Sequence, residues 1–308
     1  MKPRIAIEPK RFDSYVAAVE LSGGEVVNLE PDVTSLIWTD YSAPEQLEKI
    51  LKQNPQITWV QLPFAGVDAF SSVIEWSKRR PDLRITSAKG SYSEPVAEHA
   101  LALSLALARV IPERAKSTSW GRKFAFSFYD SNIVIVGGGG ITTELLKFLE
   151  PYRADITVVR NRVGHDLEQH RQISFRDIDE TLKSADLVIL ACALTHDTYH
   201  LINRDRLALM KPTAYLVNIA RGPVIDTDAL VEALNNEIIA GAGLDVTDPE
   251  PLPEGHPLWT AKNILITPHT ADTKEMVLAM FSKRIQANVL ALRGLGPWVG
   301  QVDSELGY

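Results

Sequence analysis

The feature that most constrains this 308-residue chain is a glycine run between a strand pattern and a helix pattern. Residues 132–149 read NIVIVGGGGITTELLKFL, an apolar run followed by four glycines and then apolar residues at helical spacing. Read as G-x-G-x-x-G, the run places Gly137 and Gly139 at the first two glycine positions and Thr142 at the third. This context favours a dinucleotide-binding turn over a purely structural one, because glycines admit a pyrophosphate close to the backbone and a helix N-terminus attracts it.

Short apolar runs alternate with helical or polar stretches on both sides of the glycine run. Over residues 1–95 the runs RIAIE, EVVNL, SLIWT, TWVQL and LRITS read as strands, and a second series starts at Asn132. Strands and helices alternating at this spacing favour parallel sheets covered on both faces. Residues 95–111 are apolar all round a helix and are predicted to be buried on most sides. The predicted fold class is therefore α/β, with two units and a cleft between them.

Charge and hydropathy narrow the range of partners. The chain carries 32 Lys and Arg against 39 Asp and Glu, a net charge of −7, without a basic run or tail. This balance argues against nucleic acid or an anionic membrane surface as the main partner. The longest stretch without a charged side chain, residues 53–67, contains polar residues and two prolines and predicts no membrane span. No secretory signal is readable at the N-terminus, so a cytoplasmic location is the default expectation.

The single cysteine, Cys192, excludes a disulfide framework and any multi-cysteine metal site. It follows the apolar run LVILA, and we predict a small core residue rather than a nucleophile. The histidines show no metal-ligand spacing with neighbouring acids, so no metal is predicted. His99 is interpreted as a core or interface histidine.

Basic residues follow the strand that comes after the glycine run. The strand ends in VVRNRVG, so Arg160, Asn161 and Arg162 stand where a carboxylate would bind the ribose 2′-hydroxyl of NAD. Guanidinium groups match a 2′-phosphate bidentately, and the segment therefore predicts NADP in preference to NAD. A solvated basic loop is the alternative.

Three polar residues each follow a predicted strand of the second unit, where strand ends converge on a ligand crevice. They are Arg221 in NIARGPVID, Glu250 in DPEPLPEG and His269 in ITPHTAD. Ketone reduction by hydride needs a proton donor such as a histidine, a carboxylate can stabilise the charged imidazole, and an arginine can hold a substrate carboxylate. Singly, each has an ordinary surface or loop interpretation; together they favour a dehydrogenase site.

Several longer motifs occur in the order typical of one family. The sequence resembles the D-isomer-specific 2-hydroxyacid dehydrogenases over nearly its whole length. The motifs are AGVD at 65–68, PVAEHALALSLALAR at 95–109, GGGGIT at 137–142, LTHDTYHLIN at 194–203, LVNIARGPVID at 216–226, AGAGLDV at 240–246, PEPLP at 249–253 and ITPHTA at 266–271.

The resemblance implies a role for each matching residue. Arg221 binds the carboxylate and carbonyl of a small 2-oxo acid such as glyoxylate or hydroxypyruvate, His269 is the acid/base, and Glu250 holds and tunes His269. The predicted substrate-binding residues are Phe64, Ala65, Gly66, Val67, Arg221 and His269. The predicted cofactor-binding residues are Gly137, Gly139, Gly140, Ile141, Arg160, Asn161, Arg162, Thr198, Ile219, Ala220, Arg221, Asp245 and His269.

The resemblance also implies two Rossmann-like, doubly wound domains with the active site in the cleft between them. Residues 1–95 with 275–308 are predicted to form a flavodoxin-like substrate-binding domain, and 96–274 the dinucleotide-binding domain, through which the chain forms a homodimer. Thr142 departs from the third glycine, and Ala193 stands where the family commonly has proline. The alternative is a non-catalytic NAD(P)-sensing protein or corepressor on the same fold, against which the complete Arg/Glu/His set counts.

Overall fold

The computed structural model describes residues 2–161, 164 and 167–305. The chain divides into two compact units. Unit 1 comprises Met1–Tyr92 and Thr273–Tyr308, and unit 2 comprises Ser93–Asp272. The sequence placed the corresponding boundaries at 95/96 and 274/275.

Unit 1 contains a five-stranded parallel sheet with the strand order β2-β1-β3-β4-β5. Its strands are β1 (Arg4–Glu8), β2 (Glu25–Val27), β3 (Ser35–Trp38), β4 (Trp59–Gln61) and β5 (Arg84–Thr86). Its helices are α1 (Asp13–Leu21), α2 (Pro44–Gln53), α3 (Ser71–Ser77) and the last helix of the chain, α10 (Lys274–Leu292). The C-terminal helix joins this unit through α1, where the rings of Tyr15 and Phe281 meet edge to face with their centroids 5.1 Å apart.

Unit 2 contains a seven-stranded parallel sheet with the strand order β12-β11-β10-β9-β6-β7-β8. Its strands are β6 (Asn132–Val136), β7 (Asp155–Val159), β8 (Arg171–Ile173), β9 (Leu187–Leu190), β10 (Tyr215–Asn218), β11 (Gly241–Leu244) and β12 (Ile264–Ile266). Its helices are α4 (Ser93–Ala108), α5 (Ile111–Lys116), α6 (Gly140–Leu149), α7 (Ile178–Leu182), α8 (Arg204–Leu209) and α9 (Thr227–Asn235). The predicted fold class, two parallel-sheet α/β domains, is confirmed.

The apolar strand β6 is buried on both faces, as expected of a central parallel strand. Successive side chains point to opposite faces, so Ile133 and Ile135 pack with residues of α4 and α6. Val134 and Val136 pack on the other face with residues of α7 and α9. The chain leaves β6 towards β7 and β8 and then returns to β9 on the other side, which creates a switch point between β6 and β9. Ligands of such sheets bind at the carboxyl ends of the strands beside this point.

The sequence interpretation needs three corrections of detail. The single helix predicted over 95–111 is two helices, because Val110 has a left-handed φ of 57° and Pro112 occupies the first turn of α5. Proline cannot continue a preceding helix, since it lacks the N–H and its ring collides with the carbonyl four residues back. In addition, α4 leaves Glu94, Glu98 and Ala102 exposed, and β8 and α8 are too short and too polar to have been predicted.

Within the part of the chain that the structure describes, no helix is both long enough and apolar enough to span a membrane.

Cys192 lies in the core of unit 2, directly after β9, with 9% of its surface exposed. Burial raises the pKa of its thiol to about 12, so almost no thiolate forms near neutral pH. This agrees with the interpretation of Cys192 as a core residue, because the thiolate is the nucleophilic form.

We expect iodoacetamide at pH 8 to leave Cys192 unmodified in the folded protein, because the sulfur is both buried and protonated. Intact-mass spectrometry of the same protein in concentrated urea provides the control, and there the thiol should alkylate fully. Equal rates in the folded and unfolded samples would contradict a buried core position.

Candidate active site

The glycine turn after β6 is built around a backbone approach that excludes any side chain. Gly137 has a φ of +116°, and a Cβ on it would lie 2.4 Å from the carbonyl oxygen of Ala191. A Cβ on Gly139, in contrast, would meet no atom within 4 Å. The ten-residue helix α6 then begins at Gly140 with Ile141 behind it, and its first N–H groups have no partner within the helix. The turn therefore leaves backbone N–H groups at a helix start where an anionic group can approach, and the binding of a pyrophosphate there stays a prediction.

Thr142, which replaces the third glycine of the motif, is fully buried at the start of α6. Its Oγ1 donates a hydrogen bond of 2.7 Å to the carbonyl oxygen of Gly137. The hydroxyl thus satisfies a carbonyl of the turn that the expected glycine would have left without this partner. The expected larger separation of α6 from the sheet stays a prediction.

Arg160, at the end of β7, lies against the same turn. A Cβ on Gly138 would be 2.6–2.9 Å from the Nε, Cδ and Cζ atoms of the Arg160 side chain. Asn161 follows it and is exposed, and Arg162 lies outside the described residues. A cation therefore stands next to the glycine turn at the switch point of the sheet.

The loops after β9 and β10 reach the same edge of the sheet. Thr198 is buried and donates its hydroxyl to the carbonyl oxygen of Ala193 at 2.7 Å, which closes the loop after β9. Ile219 and Ala220 are buried directly after β10. The Asn218 side chain accepts from the Ala220 N–H at 3.0 Å and donates to the Arg221 carbonyl at 2.9 Å, so it fixes the backbone leading into Arg221.

Gly222 brings the turn that carries Arg221 against the loop that carries Glu250. A Cβ on Gly222 would lie 1.9 Å from the carbonyl oxygen of Thr247, so no other residue fits. The Thr227 hydroxyl adds a hydrogen bond of 2.9 Å to the Asp248 carbonyl. Arg221 itself is half-buried and donates from Nη1 to the Ala220 carbonyl at 2.8 Å.

The side chains of His269 and Glu250 form a hydrogen bond, arranged as an ion pair would be. Nδ1 of His269 lies 2.7 Å from Oε1 of Glu250, and the two side chains are 49% and 40% exposed. An ionised carboxylate only accepts, so Nδ1 carries the hydrogen and Nε2 is the ring nitrogen left for chemistry. The backbone of His269 is left-handed, with a φ of 50°. The ring is therefore oriented by Glu250 while its other edge stays accessible to a ligand.

Asp245, at the end of β11, is almost fully buried and accepts several hydrogen bonds. Oδ1 accepts from the Thr267 hydroxyl at 2.6 Å and the Thr270 amide at 2.9 Å, and Oδ2 accepts from the Ala271 amide at 3.1 Å. Burial alone would raise the pKa of Asp245, but hydrogen bonds from His99, Thr267 and the two amides outweigh it and the pKa is lowered. Asp245 therefore remains ionised and holds the loop around His269.

Sequence reasoning missed Asp272, which follows His269 by three residues. Burial raises the pKa of this carboxyl, partly offset by the positive charges of His269 and Arg221, while Asp245 pushes it further up. The acid itself was visible in the sequence, since the motif ITPHTAD ends in Asp272. The fold was needed to show that its carboxyl is desolvated and lies near the charges of His269 and Arg221. His99 and Thr267, the neighbours of Asp245, were missed in the same way.

The predicted substrate loop, Phe64 to Val67, belongs to unit 1 and follows β4. The Phe64 carbonyl accepts from the Ala88 amide at 2.9 Å, and the Phe64 ring packs edge to face on Tyr41 at 5.1 Å. Arg221, Glu250 and His269 belong to unit 2.

Among the residues that the structure describes, no three His, Cys, Asp or Glu side chains form a group that could hold a metal ion.

Known proteins resemble the chain over its whole length. The family profile "D-isomer specific 2-hydroxyacid dehydrogenase, NAD binding domain" matches residues 101–271. An uncharacterised protein of Corynebacterium melassecola is 35% identical over 99% of this chain and 100% of its own. A glyoxylate reductase of Thermofilum pendens is 36% identical over 79% of this chain and 74% of its own. The crystal structure of a D-isomer specific 2-hydroxyacid dehydrogenase of Xanthobacter autotrophicus Py2, in complex with NADPH and MES, is 26% identical with a TM-score of 0.85 and covers 100% of both chains.

The chain belongs to the D-isomer specific 2-hydroxyacid dehydrogenase family. The family prediction made from the sequence motifs is confirmed. The protein is an NAD(P)-dependent oxidoreductase, and its dinucleotide-binding domain is the one that contains the glycine turn.

We expect Thr142→Val to lower the free energy of unfolding by about 1–2 kcal/mol, because the buried Gly137 carbonyl loses its hydroxyl partner. The matched control is Thr143→Val on the exposed side of the same turn, which should cost less than about 0.5 kcal/mol. Urea denaturation of both variants measures the difference. An equal loss of stability in the two variants would contradict the role given to the Thr142 hydroxyl.

Proposed function

We propose that this protein reduces small 2-oxo acids, such as glyoxylate or hydroxypyruvate, to D-2-hydroxy acids. The observation that carries the proposal is the 2.7 Å contact between His269 and Glu250, on a sheet edge that also presents Arg221. The names of relatives, among them the glyoxylate reductases of Thermofilum pendens and Pyrococcus furiosus, support the substrate class.

The chemistry of the chain's own residues follows from their types and contacts. When bound, the reduced nicotinamide supplies the hydride that the 2-oxo carbon receives. As negative charge develops on the carbonyl oxygen, protonated His269 donates its Nε2 proton and so completes the hydroxyl group. Glu250 stabilises the imidazolium and keeps the ring in one orientation. Arg221 binds the carboxylate and the carbonyl of the substrate through its planar fork.

The remaining site residues are proposed to hold the reactants. The pyrophosphate of the dinucleotide binds at the glycine turn of Gly137 and Gly139 and at the start of α6. Thr198 and the Ile219–Ala220 turn line the cofactor, with Asp245 beside its nicotinamide end. The loop 64–67 of unit 1 binds the substrate carboxylate through backbone N–H groups.

We expect His269→Gln to lower kcat with glyoxylate or hydroxypyruvate by about 10²–10⁴-fold, because the proton donor is lost. Glu250→Gln should cost less, since an amide oxygen can still accept from Nδ1 of His269 but carries no charge to stabilise the imidazolium. Turnover is measured as the loss of the near-ultraviolet absorbance that the reduced nicotinamide shows and the oxidised form does not. His170→Gln, which changes a histidine outside the site, is the matched control and should turn over normally. A His269→Gln enzyme as fast as the wild type would exclude His269 as the proton donor.

We also propose that NADP is preferred to NAD. The Arg160 side chain lies against Gly138 of the glycine turn, so it can reach a 2′-phosphate of a dinucleotide bound there. The relative from Xanthobacter autotrophicus was crystallised with NADPH, which supports this choice.

We expect the wild type to use NADPH with a higher kcat/KM than NADH. Arg160→Ser should reduce the ratio of the two values by roughly 10–100-fold, because a charge-assisted hydrogen bond of about 1.5–3 kcal/mol is lost with NADPH only. Arg176→Ser, which removes an exposed arginine elsewhere in unit 2, should leave the ratio unchanged. Equal use of the two cofactors by the wild type would overturn the NADP proposal but leave the acid/base chemistry intact.

A homodimer formed through the dinucleotide-binding domain completes the proposal. Unit 2 exposes large apolar side chains that gain from being covered, among them Trp120 (90% exposed), Phe124 (44%) and Trp259 (48%). The half-buried leucines of α4, Leu101 and Leu105, also support it.

A further inference from the structure

His99 contacts the network that holds His269, although the reaction proposed above does not use it. The residue is the seventh of α4, inside unit 2, and its side chain is 20% exposed. Its Nε2 is 2.9 Å from the Thr267 hydroxyl and 3.2 Å from Oδ1 of Asp245. A helix of the unit is thereby connected to the loops after β11 and β12.

The hydrogen-bond directions in this network follow from the acceptor-only character of a carboxylate. The Thr267 hydroxyl donates its single hydrogen to Oδ1 of Asp245 at 2.6 Å, so it can only accept from His99. Nε2 of His99 must therefore carry a hydrogen, which it shares between the Thr267 oxygen and Asp245. His99 is the donor that completes the shell of Oδ1.

Asp245 in turn fixes the backbone on both sides of His269. Its carboxylate accepts from the amides of Thr270 and Ala271, and its backbone carbonyl accepts from the amide of His269 at 2.8 Å. His269 has the left-handed φ of 50°, a conformation that is unfavourable for a residue with a Cβ. The conformation persists because the surrounding hydrogen bonds fix it.

We propose that His99 is a positioning residue, which orients Asp245 and Thr267 and thereby keeps the loop 267–271 in the conformation that presents His269. The consequence for turnover rests on the acid/base function proposed for His269. The consequence for the loop does not, because it depends only on the hydrogen bonds.

The test compares four variants of the full-length protein. His99→Leu removes the donor and puts an apolar side chain of similar size in its place. His99→Gln keeps an N–H donor. Thr267→Val removes the hydroxyl that contacts both His99 and Asp245 and leaves α4 unchanged. Glu98→Gln, at the exposed neighbouring position of α4, is the matched control.

Two readouts separate the positioning role from a general loss of stability. In hydrogen exchange followed by mass spectrometry, His99→Leu and Thr267→Val should speed exchange of the peptide that contains residues 267–271, while β6 stays protected. In steady-state kinetics, kcat should fall by about 10–100-fold, as expected when a catalytic group is displaced by a fraction of an ångström to an ångström.

The outcomes distinguish this proposal from the function on which it rests. Partial recovery by His99→Gln, with Glu98→Gln like the wild type, supports the positioning role. Unchanged exchange of the 267–271 peptide in both His99→Leu and Thr267→Val overturns it. A wild type that reduces no 2-oxo acid would remove the proposed function, while the exchange measurement would still decide whether His99 holds the loop. If His99→Leu does not fold, Thr267→Val and His99→Gln carry the same comparison.

Discussion

The candidate site depends on neighbouring loops approaching at the carboxyl edge of the unit 2 sheet more closely than a side chain would allow. At Gly137 the backbone lies against Ala191, and at Gly222 it lies against Thr247. The first contact forms the glycine turn, and the second brings the Arg221 turn beside the Glu250 loop. A Cβ at either position would push these loops apart and would displace the glycine turn or the charged residues. Parallel strands supply this geometry, because all of their carboxyl ends lie at one edge.

Buried polar groups then hold the loops in place. Asp245 is desolvated, and it stays ionised because hydroxyl, imidazole and amide donors surround it. Thr142 and Asn218 act on a smaller scale, each satisfying backbone groups that the sharp turns expose. In these loops most side-chain hydrogen bonds end on the backbone. The side chains of Arg221, Glu250 and His269 are therefore carried on a fixed frame and remain accessible enough to meet a ligand.

The sequence was sufficient for the features that local pattern determines. Alternating apolar runs identified the parallel sheets, and long motifs identified the family, because the glycine turn and the residues after each strand occur in a fixed order. Contacts between distant segments could not be read in the same way. His99 and Thr267 are 168 positions apart, and neither had a pattern that linked it to Asp245. The break at Val110 was readable from Pro112, although the run of apolar residues before it favoured one continuous helix. The hydrogen bond of Thr142 was not readable, because the usual reason for the third glycine gave no hint of it.

Three carboxylates surround the candidate acid/base, and their surroundings give each a different character. Asp245 is saturated with donors, so its pKa is lowered and it serves as a fixed anion for the loop. Asp272 is desolvated, and the positive charges of His269 and Arg221 offset this only in part, so its pKa is raised and it keeps its proton to a higher pH than an ordinary aspartate. Glu250, which is 40% exposed, pairs directly with the His269 ring. Environments that differ in this way divide roles among chemically similar groups. Of these three carboxylates, Glu250 is the one with a described hydrogen bond to the imidazole, so it can stabilise a proton on His269 directly, whereas Asp245 acts through the backbone.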